Sequence, residues 1–261
     1  MKVLFWNLYK KENSKYVIAL LTSEKIDVAI FSEFEGLSFD KIRASLNEYN
    51  ILYGLGGNDK IVAIVKGDID AIVKREHSRY TLYTARIEQQ IINICGVHLR
   101  ANPYASCIDR ASTLRELTYD VRSLEKETAS DNTIIIGDFN ANPFSLEMIS
   151  KKGLNAVVFK ELIDSHETVK DEGQQLRRFY NPTLRMFSED KKQYGSYYYG
   201  SGSETLYWNM YDQVVLRKQL ANALVDMKYC KSAGNYQLIT QYGLPKKSIS
   251  DHLPLCVEVR L

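Results

Sequence analysis

The chain has 261 residues, 45% hydrophobic and 25% charged, which suits one large domain or two small ones with a sizeable core. Its 34 Lys and Arg nearly balance 32 Asp and Glu, leaving a net charge of +2. That balance excludes a strongly basic nucleic-acid binder and little else.

Taken in chain order, KVLFWN reads as a strand, SKYVIALLTSEK as a helix and IDVAIFSE as a second strand. FDKIRASLNEY reads as a helix, and YGLGGNDK as a turn that matches a phosphate loop only loosely, having no GxxxxGK. IVAIVKG, IDAIVKRE, YTLYTARIE and IINICGVHL follow as strands joined by short turns, which predicts antiparallel pairing. From 104 to 127, Ala105, Ile108, Ala111, Leu114, Leu117, Val121 and Leu124 recur every three or four positions, the pattern of an amphipathic helix lying on a sheet. TIIIGD is the next strand, and Pro143 is expected to open a helix carrying Leu146 and Ile149. Residues 171–211 are irregular and aromatic; YDQVVLRKQL and ALVDMKYC then read as strand, turn, strand, and HLPLCVEVRL as a closing strand. No repeat or linker interrupts the chain, so sheets flanked by helices in one domain fit best.

The strand ends carry the chemistry. KVLFW runs into Asn7, DVAIFS into Glu33, IINICGV into His98, and TIIIG into Asp138 with Asn140 two residues on. Asp251 and His252 stand before the last strand and Asp212 before another; if those two strands run opposite to the rest, all six ends share one rim. Singly, each has an ordinary reading: Asn as a turn residue, Glu as a solvated surface group, Asp-His as a capped loop. Together they supply what phosphodiester hydrolysis needs. A carboxylate such as Glu33 can hold Mg²⁺ or Mn²⁺, asparagine amides can bind phosphate oxygens, and a His paired with an Asp is fixed in one tautomer.

The ordered set WN, SE, VHL, GDFNANP, YD and SDHLPL resembles the endonuclease/exonuclease/phosphatase superfamily, over essentially the whole chain. The resemblance implies an α/β (α+β) fold, a four-layered αββα sandwich of two mixed or antiparallel sheets face to face with helices outside, as one catalytic domain over residues 1–261. It implies Glu33 as the main metal ligand for Mg²⁺ or Mn²⁺, with Asn7 and Asp251 near the metal. His98 would contact the scissile phosphate, Asp138 align the attacking water and Asn140 bind phosphate. His252 would be the catalytic histidine, oriented by Asp212. Glu35, two residues after Glu33, is a minor metal candidate.

Departures narrow the branch. Ala141 and Asn142 follow Asn140 where the family's inositol phosphatases carry an aromatic and an arginine, and no arginine-rich loop matches the apurinic endonucleases. Arg177 and Arg178 stand beside Phe179, Tyr180 and Asn181; Tyr194, Tyr197, Tyr198, Tyr199, Tyr207, Tyr211 and Trp208 follow in a tyrosine-rich run. Arginine beside aromatics suits a single-stranded nucleic-acid channel, whereas a tyrosine-rich hairpin packed on the sheet suits the same residues. FYNP with WNMYDQVVL looks like bacterial members of the superfamily. The expectation is a nuclease acting on DNA or RNA; a sibling enzyme of a phospholipid or small phosphate ester is the alternative, and an inactive binding module on the same fold a weaker one. MKVLFWNLYKKENSK lacks a signal peptide's apolar run, no segment is long enough to span a membrane, and Cys95, Cys107, Cys230 and Cys256 are scattered without a CxxC. A cytoplasmic chain with reduced thiols and no stable membrane association is therefore expected.

Overall fold

A computed structural model describes residues 1–102, 104–187, 194–201 and 205–261. Strand β1 (Lys2–Asn7) runs parallel to β2 (Val28–Ser32), with helix α1 (Ser14–Glu24) as the connection. Helix α1 stops at Lys25, whose left-handed backbone (φ 55°) lets its N–H reach the carbonyls of Leu21 and Thr22. Helix α2 (Phe39–Ser45) follows, its N-terminus closed by Ser38 accepting from the Lys41 amide. β3 (Tyr49–Leu52) and β4 (Ile61–Lys66) then pair antiparallel. β3 has no signal in the sequence. It is a four-residue edge strand in which only Tyr49 is fully buried, too short to show alternation.

β5 (Asp70–His77), β6 (Tyr80–Ile87) and β7 (Gln90–His98) form an antiparallel meander; α3 (Cys107–Thr128) crosses over to β8 (Thr133–Asp138), parallel to β7. The first sheet is ordered Leu224–Tyr229, Leu255–Val259, β1, β2, β4, β3; the second β5, β6, β7, β8, Asp212–Leu216, Phe179–Tyr180, Ala156–Val157. The two mixed sheets pack face to face with helices outside, the αββα sandwich. Period-two alternation builds it. Ile134 and Ile136 join Phe5, Ile30 and Val214 between the sheets, while Ile135 and Val215 join Leu114, Leu117 and Val121 under α3. The sheets leave no room for a side chain at Gly96, where a Cβ would lie 2.7 Å from Ile30 Cγ2.

Four local expectations need correction. Helix α3 begins at Cys107 because Ser106 and Asp109 form a reciprocal cap there. Pro143 opens no helix; the single turn Leu146–Ile149 starts after Ser145. The RKQL turn is a short helix, Lys218–Asn222, which buries Leu220 and Ala221. Part of the irregular stretch is a regular hairpin, Thr168–Asp171 with Gln174–Arg177. Residues 188–193 and 202–204 of the aromatic stretch lie outside the described residues. Among the described residues, no helix is long and apolar enough to cross a membrane.

Candidate active site

Asp138 is the hub of the rim. It ends β8 with His98 opposite it on β7 and Asp212 opposite it on the other flank, so the register of two strand pairs sets three functional residues side by side. Both strand reversals anticipated from the sequence are present: Asp212–Leu216 runs antiparallel to β8, and Leu255–Val259 antiparallel to β1. Asp138 lies on the same face of β8 as Ile134 and Ile136, so its carboxylate points into the mouth between the sheets. There Asn7, at the end of β1 in the facing sheet, donates its amide to Asp138 Oδ2 at 3.1 Å and lies 3.4 Å from Glu33 Oε1. Glu33 follows the last residue of β2, and a continuing strand would send it to the other face from Ser32. Its φ of 48° breaks the alternation instead, and Oε1 stands 3.6 Å from His98 Nε2. A positive φ at a non-glycine residue in a cleft is strain held by its surroundings.

The loop before the last strand is tied to β1. Ser250 donates its hydroxyl to the Asn7 carbonyl at 2.7 Å and accepts from the His252 amide at 3.0 Å; Trp6 Nε1 donates to the His252 carbonyl at 3.0 Å. His252 is thereby fixed with Nδ1 2.7 Å from Asp212 Oδ2 and Nε2 3.9 Å from Asp138 Oδ2. Burial disfavours the charged imidazole, but Asp212, Asp138 and then Asp251 overcome it and hold His252 up to about 10. Burial raises the Asp212 carboxyl, against the pull of His252. With Nδ1 engaged by Asp212, Nε2 is the ring nitrogen turned to the cleft.

Asp138, Asp212 and His252 offer ligand atoms all within 4.8 Å of one another and form a buried group able to hold a metal ion. The 2.7 Å bond between two of its members favours a histidine–aspartate dyad there. The oxygen-rich side of the cleft suits a hard cation better. Asp251 Oδ1 is buried without a hydrogen-bond partner, and burial raises its carboxyl, with Glu33 and Asp138 adding repulsion. A divalent cation held by Glu33 and Asp251 would relieve this repulsion. Asn7 stands beside them, but its side-chain oxygen accepts from the Tyr9 amide at 3.0 Å, so it serves as a neighbour and not a direct oxygen ligand in this arrangement. Glu35 is turned away, exposed and 3.5 Å from Lys10 Nζ.

Asn7, Glu33, His98, Asp138, Asn140, Asp251 and His252 all line one cleft of about 610 Å³, with Asp212 directly behind His252. Asn140 bonds the Leu99 carbonyl through Nδ2 at 2.9 Å and caps Asp138 Oδ1 with its own backbone amide at 2.9 Å, so it also shapes the floor. Of the aromatic candidates Tyr197 lines the cleft, with Tyr199, Tyr207 and Tyr211 of the same run; the Tyr197 ring lies 4.9 Å from that of His252. Tyr198 and Trp208 pack edge to face at 5.3 Å outside it. Arg177 and Arg178 are not brought to the cleft. Arg177 pairs with Asp131 and Glu167 at 2.7 and 2.6 Å, and Arg178 donates to the Thr168 carbonyl at 2.6 Å. Asp131 precedes β8, a strand of six residues, so this corner lies about 17 Å along the strand from Asp138. Tyr180 is buried in the sheet, and Asn181 donates to Gln213 Oε1 at 2.7 Å in the core. Tyr199 and Tyr207 of the tyrosine-rich run line the cleft at 49% and 40% exposure, and sequence reasoning missed only Tyr9, which lines it at 40%. Tyr9 carried a signal, standing two residues after Asn7 at the end of β1.

The sequence profile of the Endonuclease/Exonuclease/phosphatase family matches residues 4–252. No curated protein sequence matches the chain. Among solved structures, D. rerio TDP2 complexed with single strand DNA product is similar at a TM-score of 0.61 and 12% identity, over 100% of this chain and 99% of that one. A 3′-5′ exonuclease (NExo) from Neisseria meningitidis gives 0.57 and 15%, covering 100% of both chains. An AP endonuclease from Archaeoglobus fulgidus gives 0.56 and 15%, covering 100% of both chains. At such identities these likenesses establish the fold.

Proposed function

The chain belongs to the endonuclease/exonuclease/phosphatase family, and we propose that it is a Mg²⁺- or Mn²⁺-dependent phosphodiesterase that cleaves DNA or RNA. The observation that carries this reading is the His252–Asp212 bond of 2.7 Å, aimed across 3.9 Å at Asp138 in a cleft that also gathers Asn7, Glu33, His98 and Asp251. Glu33 and Asp251 would hold the cation, which supplies charge neutralisation at the phosphate. Asp138 is placed to orient the attacking water and accept its proton, its other oxygen being held by the Asn140 amide. The imidazolium of His252 directs Nε2–H at the same point and stabilises charge growing on the phosphate oxygens. Asp212 keeps the imidazole in one orientation. Asn7, from the facing sheet, and His98, beside Asp138, add polar side chains to the same cleft, and the exposed faces of Tyr9, Tyr199 and Tyr207 offer stacking surfaces for bases. The structural relatives include one holding a single-stranded DNA product, which supports this substrate class.

A sibling activity on a small phosphate ester is the second reading. It is favoured by one observation: none of the described residues lining the cleft is Lys or Arg. The deciding experiment incubates the protein with single-stranded and duplex DNA and RNA and with small phosphate esters, in Mg²⁺, Mn²⁺ or EDTA, and resolves the products. Metal-dependent cleavage of a polynucleotide is expected. Hydrolysis of small esters alone transfers the assignment to the second reading, and full hydrolysis in EDTA overturns the metal role.

A further inference from the structure

Among the described residues no arginine lines the cleft, but two line a cavity beside it. Arg79, in the turn between β5 and β6, and Arg100, two residues beyond β7, line a cavity of about 350 Å³ with Leu99 and the start of α3. Arg79 Nε is buried without a hydrogen-bond partner. Among the described residues no carboxylate forms a salt bridge with either guanidinium. Two carboxylates line the recess with them, each with another partner: Asp109 accepts from the Ser106 hydroxyl at 2.7 Å and Glu116 lies 3.5 Å from His77 Nε2, while Asp59, whose field also reaches Arg79, pairs with Lys60 at 3.1 Å. Burial, and then the like charge of Arg100, lowers Arg79. Two cations in one recess, one with an unspent buried donor, are costly unless an anion joins them.

The recess belongs to the catalytic rim. The Arg79 carbonyl accepts the His98 amide at 2.9 Å, which clamps the turn to the end of β7. Along the next residues, Leu99 and Arg100 face this cavity while Ala101 and Asn102 line the cleft. The Cα atoms of Arg100 and Asn102 are no more than about 7.6 Å apart. One short stretch of backbone separates the two spaces. We propose that Arg79 and Arg100 form a second phosphate subsite, which binds the phosphodiester next to the scissile one in a single-stranded substrate threaded across the Leu99–Asn102 segment. This rests on the phosphodiesterase reading and names what gives that site its polymer: the charge absent from the cleft stands one step away.

The test separates binding from turnover. A short fluorescein-labelled oligothymidylate is titrated by anisotropy in EDTA across a range of salt, with wild type, R79Q/R100Q and R100E. Turnover of bis-p-nitrophenyl phosphate in Mg²⁺ is measured in parallel on the wild type. The double variant is expected to bind more weakly and to lose ~0.7 from the log–log salt slope for each phosphate contact removed. R100E, altered at an exposed side chain only, is expected to weaken binding further. The melting temperature of R79Q/R100Q should match or exceed wild type, because two unpaired like charges have been removed. An unchanged slope, a wild type that fails to bind the oligonucleotide, or weaker binding explained by a lowered melting temperature overturns the subsite. Failure of wild type to hydrolyse the small diester sinks the phosphodiesterase reading instead, so the two failures are distinct.

Discussion

Replacing Asp212 by Asn tests the dyad with little change of shape. The carboxylate is fully buried and meets His252 Nδ1 at 2.7 Å. His252 is held up to about 10 against an ordinary 6.5, and Asp212 is the strongest of the charges that raise it against burial. That difference favours the imidazolium by about 5 kcal/mol over its neutral form. In D212N the largest attractive partner is gone while the burial stays, so the ring is expected to lose its proton within the neutral range. A positioned acid or base contributes ~10²–10⁴-fold, so kcat/KM on bis-p-nitrophenyl phosphate should fall by that factor, ~3–5 kcal/mol of transition-state stabilisation. The double variant D212N/H252A should be no slower than H252A, because members of one unit are not additive. The pH dependence carries its own sign. A group raised in the folded state gives stability that is whole below its unfolded pKa, here 6.5, and is lost as pH climbs through about 10. In thermal melts of the metal-free protein this alkaline loss should move to lower pH in D212N. Multiplicative rate losses, or an alkaline limb that stays in place, refute the idea that Asp212 acts through His252.

Glu33→Gln should abolish Mg²⁺-dependent turnover without lowering the melting temperature, and it should also remove the rise in melting temperature that Mg²⁺ gives the wild type, ~2.7 kcal/mol at a hundredfold excess over Kd; an undiminished thermal shift would place the cation elsewhere. Arg177→Ala should cost about 1 kcal/mol in chemical denaturation, since its two ion pairs are only partly buried, and leave the KM for an oligonucleotide in place; a raised KM would restore it to the substrate path. Tyr199→Ala should weaken oligonucleotide binding by ~1–3 kcal/mol if a base stacks there, with turnover of the small diester affected far less; equal losses on both substrates would make the ring a structural one.

Much of the site was legible because strands have period two and because apolar runs that end in polar residues announce where a sheet meets solvent. TIIIGD declares both the buried strand and the residue at its mouth, and the antiparallel placement of Asp212 and His252 followed once one rim was assumed. Backbone torsions carry no such signal. The φ of 48° at Glu33 brings its carboxylate back to the inter-sheet face, which alternation alone would have denied it. The same turn removed Glu35, which a regular strand would have kept beside it and which instead faces Lys10.

The arginines failed for a different reason, one of direction along the strands. Arg177 and Arg178 were assigned to substrate by chain adjacency to aromatics, yet Phe179–Tyr180 pairs antiparallel with Asp212–Leu216 through Tyr180 and Leu216. The residues before Phe179 therefore gather at the end far from Asp212, where Arg217 Nη1 donates to the Arg177 and Arg178 carbonyls at 3.0 and 3.1 Å. Arg100 follows His98 by two residues, and Arg79 bonds the His98 amide from the preceding turn. Neither has an aromatic run to advertise it. What places them is that β7 ends beside β8 at the catalytic rim, so anything within two residues of His98 shares the mouth of the sandwich with Asp138. Arg177, paired with Asp131 at the far end of β8, is held about 17 Å from Asp138 by the β-rise itself, whatever its neighbours in the chain.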